Sequence, residues 1–489
     1  MNLSTVFPGA SPKALRKTAV LALILALAAH GFCFFNLTYS GESVMLNAAK
    51  GSASQIASGA FLMPLYWRVR GAISAPLWVG LLSSCYLSLT VVLLCGLLGL
   101  ASPYLIAMLA GSVVLSPSVL SIFAGSIHTA DAAFLAFLLA SCAAVFCLRV
   151  RAGTLLGALL LAAAQALDRS SLSFFLGVSA ICLIQSLLKA DESARPLVGR
   201  VLRILLCAAL GMAVYLGGFM LFLHRAGLDR EAALQAPAGK TVVGAWLYPL
   251  ALLFKPLTIY AHVGVVLHAL LIALGAFALL RLLPKMKGRV PALALLLLVF
   301  PLLVNLPAYC TPYVLLDALL IVLLQAAFES SVDERHLAYR AGTVMLGVSL
   351  LGTTIFANQV YLKKTLEFDS TLSVMTRVIA RAEAVPAFKP GETPVALVGS
   401  IEDSELSVVH EGFEKLDALD AAANNFAATD DTGNIWYTWE VLGYPFSLVD
   451  AYTLGQLEQR DDVQAMPAFP AQDCCQMIDG TLVVKLSAI

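Results

Sequence analysis

The chain is predicted to fold as a polytopic α-helical membrane protein with about eleven spans and a small C-terminal α/β domain. Three observations carry this. Of 489 residues, 60% are hydrophobic and only 13% charged, and the mean hydropathy of +0.85 exceeds what a soluble core requires. Apolar runs of about 20 residues, enough to cross roughly 30 Å of hydrocarbon, recur from residue 18 to about 362. Charge is also segregated. The formal net charge is zero, yet the segment from 363 onward holds 20 of the 31 acidic residues and 8 of the 31 basic ones, the balance of a solvated domain rather than of more membrane.

Spans are expected at about 18–36, 75–99, 103–123, 130–148, 153–167, 170–188, 204–223, 262–282, 290–306, 312–328 and 341–361. They must pair as helices, because lipid satisfies no backbone hydrogen bond. No small-residue cleavage site follows the first run, so it reads as a retained helix. Lys and Arg set the orientation: Lys13, Arg16, Lys17, Arg149, Arg151, Arg200, Arg203, Lys285, Arg289 and Arg340 fall on one side, which is therefore cytoplasmic. An odd number of crossings then places residues 363–489 outside as a domain of their own. Residues 1–362 form the membrane domain, with outer loops at 37–74 and 224–261.

Several function classes are excluded. Basic stripes with interleaved aromatics are absent, and an acidic outer domain repels a phosphate backbone, so no nucleic-acid partner is expected. Walker, Rossmann and HExxH patterns are also missing. Most of the ten cysteines lie in or at the ends of predicted helices, where thiols behave as small hydrophobes and suggest no metal site. Cys474 and Cys475 are adjacent, a spacing that rarely closes an unstrained bridge; pairing with Cys310 is the other option.

Chemistry on a lipid-linked substrate needs polar groups at head-group height, which directs attention to the outer loops. In the first, Glu42 is the only acid before Asp131, and a carboxylate beside the bilayer is costly unless it serves chemistry or holds a cation. Further on, PLYWRVRG at 64–71 offers Tyr66 and Trp67 as an interfacial belt and Arg68 and Arg70 as phosphate ligands, or the whole stretch simply anchors the loop. The second loop, 124–131, carries His128 and Asp131, the latter also favoured at a helix start by the helix dipole. Between two helices, Asp168 and Arg169 either line a site or cap and solvate a turn.

The loop at 224–261 ends in an apolar stretch interrupted by Pro249, Lys255 and Pro256. It reads as surface-lying or re-entrant, with Lys255 either snorkelling or binding phosphate. In the outer domain, strand character is expected at 394–399, 434–445 and 481–487. Asp317 is the one clear acid expected inside a span.

These features resemble a family. The opening helix with its acidic outer loop, SPSVLSIFAGSIHTAD at 116–131, SSLSFFLGVSAICLIQSLL at 170–188, and above all MPAFP at 466–470 with IDGTLVVKLS at 478–487 are similar to the Gtr type II O-antigen glucosyltransferases. That family lies within the C-type superfamily of polyprenyl-phosphate-sugar-dependent glycosyltransferases (GT-C). The chain departs from its pattern in two places: Glu42 stands alone where the family tends to show adjacent acids, and Asp168 and Arg169 stand where relatives often have a Tyr-Gln pair.

The resemblance implies transfer of a sugar, expected to be glucose, from polyprenyl (undecaprenyl) phosphate to an O-antigen or related surface glycan. The reaction would take place on the periplasmic face of a bacterial inner membrane. In that reading Glu42 is the general base that deprotonates the acceptor hydroxyl, with inversion at the anomeric carbon. Arg68, Arg70, Arg169 or Lys255 neutralise the leaving phosphate. The family's terminal lysine carries over to Lys485, which either folds over the site or is an exposed strand lysine. No cofactor is required, although a divalent cation bridged by Glu42 is compatible. The competing classes are a flippase or transporter of lipid-linked sugars, which would bury more charge within its helices and lack a sizeable outer domain, and a glycan polymerase or ligase, which would use a pyrophosphate-linked donor.

Overall fold

A computed structural model describes residues 12–36, 52–125, 127–150, 152–188, 194–228, 242–254, 262–305, 312–328, 337–399, 416 and 441–487. Helix α1 is Pro12–Phe35, followed by the short α2 (Ser52–Ala57) and α3 (Met63–Arg70). Then come α4 (Pro76–Leu98), α5 (Pro103–Val114), α6 (Pro117–Gly125), α7 (Ile127–Arg149), α8 (Thr154–Leu167), α9 (Ser171–Leu188) and α10 (Ala194–Ala226). The series continues with α11 (Val242–Phe254), α12 (His262–Leu282), α13 (Val290–Asn305), α14 (Pro312–Phe328) and α15 (Leu337–Glu383).

Among the described residues each span expected from hydropathy falls largely on helix. Among the described residues six helical stretches are long and apolar enough to cross a membrane, and three shorter apolar helices accompany them. The apolar stretch at 242–254 is a helix of 13 residues, about 20 Å at the usual rise, against roughly 30 Å of hydrocarbon. It lies against α13, where the Trp246 indole N–H donates to the Leu298 carbonyl at 2.8 Å.

Local sequence explains the boundaries. Helices α1, α4, α5, α6 and α14 all begin at proline, whose fixed φ suits the first turn and whose missing N–H would have had no partner there. Helix α4 stops at Gly99, in the left-handed region at φ +60, with the Leu100 N–H closing onto the Cys95 carbonyl at 3.2 Å.

The span expected as continuous over 103–123 is broken. Pro117 cannot donate to the preceding turn, Leu115 leaves helical geometry, and the Ser116 hydroxyl accepts from the Val119 N–H at 3.2 Å to start α6 afresh. The break leaves the Val114 carbonyl to His30 Nε2, 2.9 Å away. His30 Nδ1 lies 2.6 Å from the Tyr361 hydroxyl. Because a carbonyl only accepts, Nε2 carries the proton and Nδ1 accepts from Tyr361. One buried imidazole thus ties α1, α5 and α15 together.

Helix α15 runs unbroken for 47 residues through the boundary expected at 362. Phe356, Ala357, Val360 and Tyr361 belong to the main helical core, whereas Val374, Met375, Val378 and Ala382 belong to the core of the C-terminal sheet. Between these stretches Lys363 and Lys364 flank Glu367 at 3.6 and 3.3 Å, all three buried.

The sheet has the order β2-β1-β4-β3, formed by β1 (Pro394–Val398), β2 (Ser447–Leu448), β3 (Cys475–Ile478) and β4 (Thr481–Lys485). Strand β1 is parallel to β2 and β4, and β3 is antiparallel to β4. The short helices α16 (Ala451–Glu458) and α17 (Asp461–Ala465) precede the β3–β4 hairpin. Two strands fall where expected, at 394 and 481. Within the third expected strand, 434–440 lies outside the described residues and 441–445 is not strand; pairing begins at Ser447. Asp479-Gly480 forms the turn of the hairpin, both at positive φ (48 and 82), the dipeptide a two-residue turn of this hand favours.

His30→Leu should lower stability by about 1–3 kcal/mol, the usual consequence of orphaning a buried polar group, here the Val114 carbonyl. The check is the unfolding midpoint of the purified protein in detergent, against a Leu25→Ala control on the same helix.

Candidate functional site

Three segments expected on one side of the membrane converge at one end of the bundle. They are the α2–α3 region, the α6–α7 junction and the α8–α9 turn, and together they enclose a cavity of about 380 Å³. Its polar lining is Gln55, Ser58, Ser121, Thr129, Asp168 and Arg169, and its apolar lining includes Ala60, Met63, Ile122, Ala133 and Leu167. Hydroxyls, an amide, a carboxylate and a guanidinium over an apolar floor suit a polyhydroxylated, anionic small molecule, and the volume is within the range of ligand pockets. The opposite end differs. There Arg149 donates to the Leu97 carbonyl at 2.7 Å and Arg200 to the Ser186 hydroxyl at 2.8 Å, so those cations serve helix ends.

Asp168 leaves α8 in extended geometry, and its Oδ1 accepts from the Ser170 N–H at 2.8 Å. Capping therefore occupies one oxygen only. Burial pushes its carboxyl above the ordinary range, against the opposing pull of the hydrogen bond from Ser170. Arg169 donates Nε–H to the Tyr215 hydroxyl at 3.0 Å, and its guanidinium lies 5.3 Å from the centre of the Phe219 ring. The ion pairs among the described residues are made elsewhere, and none of them includes Arg169. A guanidinium with its Nη groups uncompensated at a cavity wall is an anion-binding arm.

Arg70 and Asp131 are placed otherwise. Arg70 Nε sits 3.0 Å from Asp131 Oδ2, with both side chains buried (2% and 0% exposed). Arg70 Nη2 donates to the Ser74 hydroxyl at 2.9 Å, and the Tyr66 hydroxyl donates to Asp131 Oδ2 at 2.9 Å. Burial and the neighbouring carboxylate push the Tyr66 phenol up. The phosphate-binding expectation for Arg70 is thereby corrected, since its charge is already compensated inside the protein. The interfacial belt expected of Tyr66 and Trp67 is corrected as well: Trp67 packs against Ala60, Met63 and Ala132. The loop expected at 124–131 is mostly helix, so His128 and Asp131 are buried in the first turns of α7 rather than displayed.

The other candidates scatter. Arg68 is exposed on α3. Lys485 is buried in β4, where Nζ donates to the Val463 and Gln464 carbonyls (3.3 and 2.6 Å) at the end of α17; it is neither an exposed strand lysine nor at the cavity. Glu42, Lys255 and Cys310 lie outside the described residues. Among the described residues no group of three or more His, Cys, Asp or Glu is gathered as a metal-ligand set. Sequence reasoning missed Gln55, Ser58, Ser121 and Thr129, along with Tyr215, a single phenol inside an apolar helix that carried no signal in one dimension.

The family model described as Glucosyl transferase GtrII matches residues 45–350, more than half of the chain and all of the cavity lining. No curated protein and no solved structure matches.

Two neighbouring acids should separate cleanly. Asp131→Asn breaks a buried ion pair and should destabilise by about 3–5 kcal/mol. Asp168→Asn keeps an acceptor for the Ser170 N–H and should stay within about 1 kcal/mol of wild type. Unfolding midpoints of the two purified variants would read the difference.

Proposed function

The chain belongs to the GtrII glucosyltransferase family, and from that premise we propose that it transfers glucose from a polyprenyl-phosphate carrier to a hydroxyl of an O-antigen or similar surface glycan. A glucosyltransferase requires a sugar donor and an acceptor, and the family match favours transfer over transport of lipid-linked sugars. The finer reading has the GT-C architecture, residues 1–362 in the bacterial inner membrane with a cytoplasmic N-terminus, and residues 363–489 as a periplasmic domain. The observation that carries it is the cavity of Asp168 and Arg169, at the end of apolar helices and within the family-matched segment.

In this reading the glucosyl phosphate enters the cavity with its polyprenyl chain in the lipid. Arg169 receives the phosphate, and the Asp168 carboxylate with the Ser58, Gln55 and Thr129 side chains receives sugar hydroxyls. The acceptor oxygen then attacks the anomeric carbon from the face opposite the phosphate. A carbon–oxygen bond forms, the bond to the phosphate oxygen breaks, and the configuration inverts. Charge accumulates on the departing polyprenyl phosphate, where a guanidinium held in place beforehand stabilises it without the reorganisation water would need. The proton of the acceptor hydroxyl passes to Glu42, the first acid of the chain and the proposed general base.

The test uses full-length protein in detergent, a synthetic polyprenyl-phosphate glucose and candidate glycans, with polyprenyl phosphate release as the readout. Arg169→Gln should raise the donor KM by about tenfold or more, the equivalent of one charge-assisted contact. Glu42→Gln should lower kcat by about 10²–10⁴ with little change in donor KM. Equal release by wild type and Glu42→Gln would remove the base assignment, and an unchanged donor KM in Arg169→Gln would remove the phosphate site.

A further inference from the structure

We infer that Tyr215 and Gly59 are positioning residues that aim Arg169 into the cavity before substrate arrives. The inference rests on the reading that Arg169 receives the donor phosphate. A single phenol oxygen makes the connection. It accepts Nε–H from Arg169 at 3.0 Å and donates its own proton to the Gly59 carbonyl at 3.2 Å. Helix α10 and the α2–α3 region are joined through it, and the guanidinium is fixed by its inner edge.

Occupying Nε has a geometric consequence. The fork of a guanidinium offers two outer nitrogens once Nε is bound, and Arg169 is one of the residues that line the cavity. The ring of Phe219 lies 5.3 Å from the guanidinium carbon and limits its swing. Tyr215 is held in turn: its ring is stacked with Phe219 (centroids 6.0 Å apart, planes at 10°) and with Phe61 (5.7 Å, 28°). A long side chain otherwise loses rotamer freedom on binding, so one restrained beforehand binds more tightly with no new contact.

Gly59 supplies the space. Its φ of +93 is a conformation that L side chains rarely adopt, and a Cβ there would collide with the Arg169 guanidinium and with the Tyr215 hydroxyl. A larger residue would disturb both partners of the bond that aims the arm.

The experiment is calorimetric binding of a short-chain polyprenyl-phosphate glucose to full-length protein in detergent. Wild type, Tyr215→Phe, Arg169→Gln and the double variant are compared, each also with a prenyl glucoside lacking the phosphate. Tyr215→Phe keeps the stacked ring and removes only the oxygen. It should weaken the phosphate-bearing ligand about five- to tenfold, leave the glucoside unchanged, and add nothing in the Arg169→Gln background. Should Tyr215→Phe fold poorly, Gly59→Ala is expected to give the same ligand-selective loss. Wild-type affinity in both variants, equal weakening of both ligands, or full additivity with Arg169→Gln would overturn the positioning role. If Arg169→Gln alone binds the phosphate ligand as wild type does, the phosphate reading falls and the inference with it.

Discussion

The buried ion pair between Arg70 and Asp131 is the constraint on which the cavity depends. Helix α3 is a short element that could not hold its place alone, since isolated helices of this length are unstable in water and gain their stability from packing. Two charges removed from solvent must stay together, and the Tyr66 and Ser74 hydroxyls complete their hydrogen bonding. A backbone bond from the Leu62 N–H to the Ala166 carbonyl at 2.9 Å fastens the same segment to the end of α8. With α3 pinned to α7 and its N-terminal approach pinned to α8, Ala60 and Met63 become one wall of a chamber.

The two arginines thus differ in how their charge is met. Arg70 faces a carboxylate and is electrically complete; it contributes architecture. Arg169 faces a phenol and an aromatic ring, which orient a cation without neutralising it. That asymmetry separates an anchor from a ligand-binding arm, and it cannot be read from residue type, because both arginines occupy segments expected on the same side. Asp131 and Asp168 divide in the same way: one is consumed by Arg70, and the other spends a single oxygen on capping.

The C-terminal sheet is joined to the helical core by one continuous helix. Helix α15 contributes apolar residues to both cores, and the buried Lys363, Lys364 and Glu367 lie between them. Lys485 illustrates how such a domain can absorb a lysine that the sequence marks for attention: the fold gives its ammonium two carbonyls at a helix end, the partners a cation prefers there.

Hydropathy alone determined that the chain is a bundle of apolar helices, because lipid leaves the backbone no partner but itself. Proline and glycine positions determined where many of those helices begin or end, and Asp479-Gly480 determined a turn, through steric limits on φ that act within a few residues. The composition after residue 363 marked a charged segment distinct from the apolar helices before it. The tertiary structure alone decided which polar residues share a chamber. It broke the span at Ser116–Pro117, folded His128 and Asp131 inward, sent Lys485 elsewhere, and brought Tyr215 and Gly59 to Arg169 across 46 and 110 residues of sequence. The physical reason is that charge compensation and aromatic packing act between side chains in space, whereas a sequence displays only the neighbours along the chain.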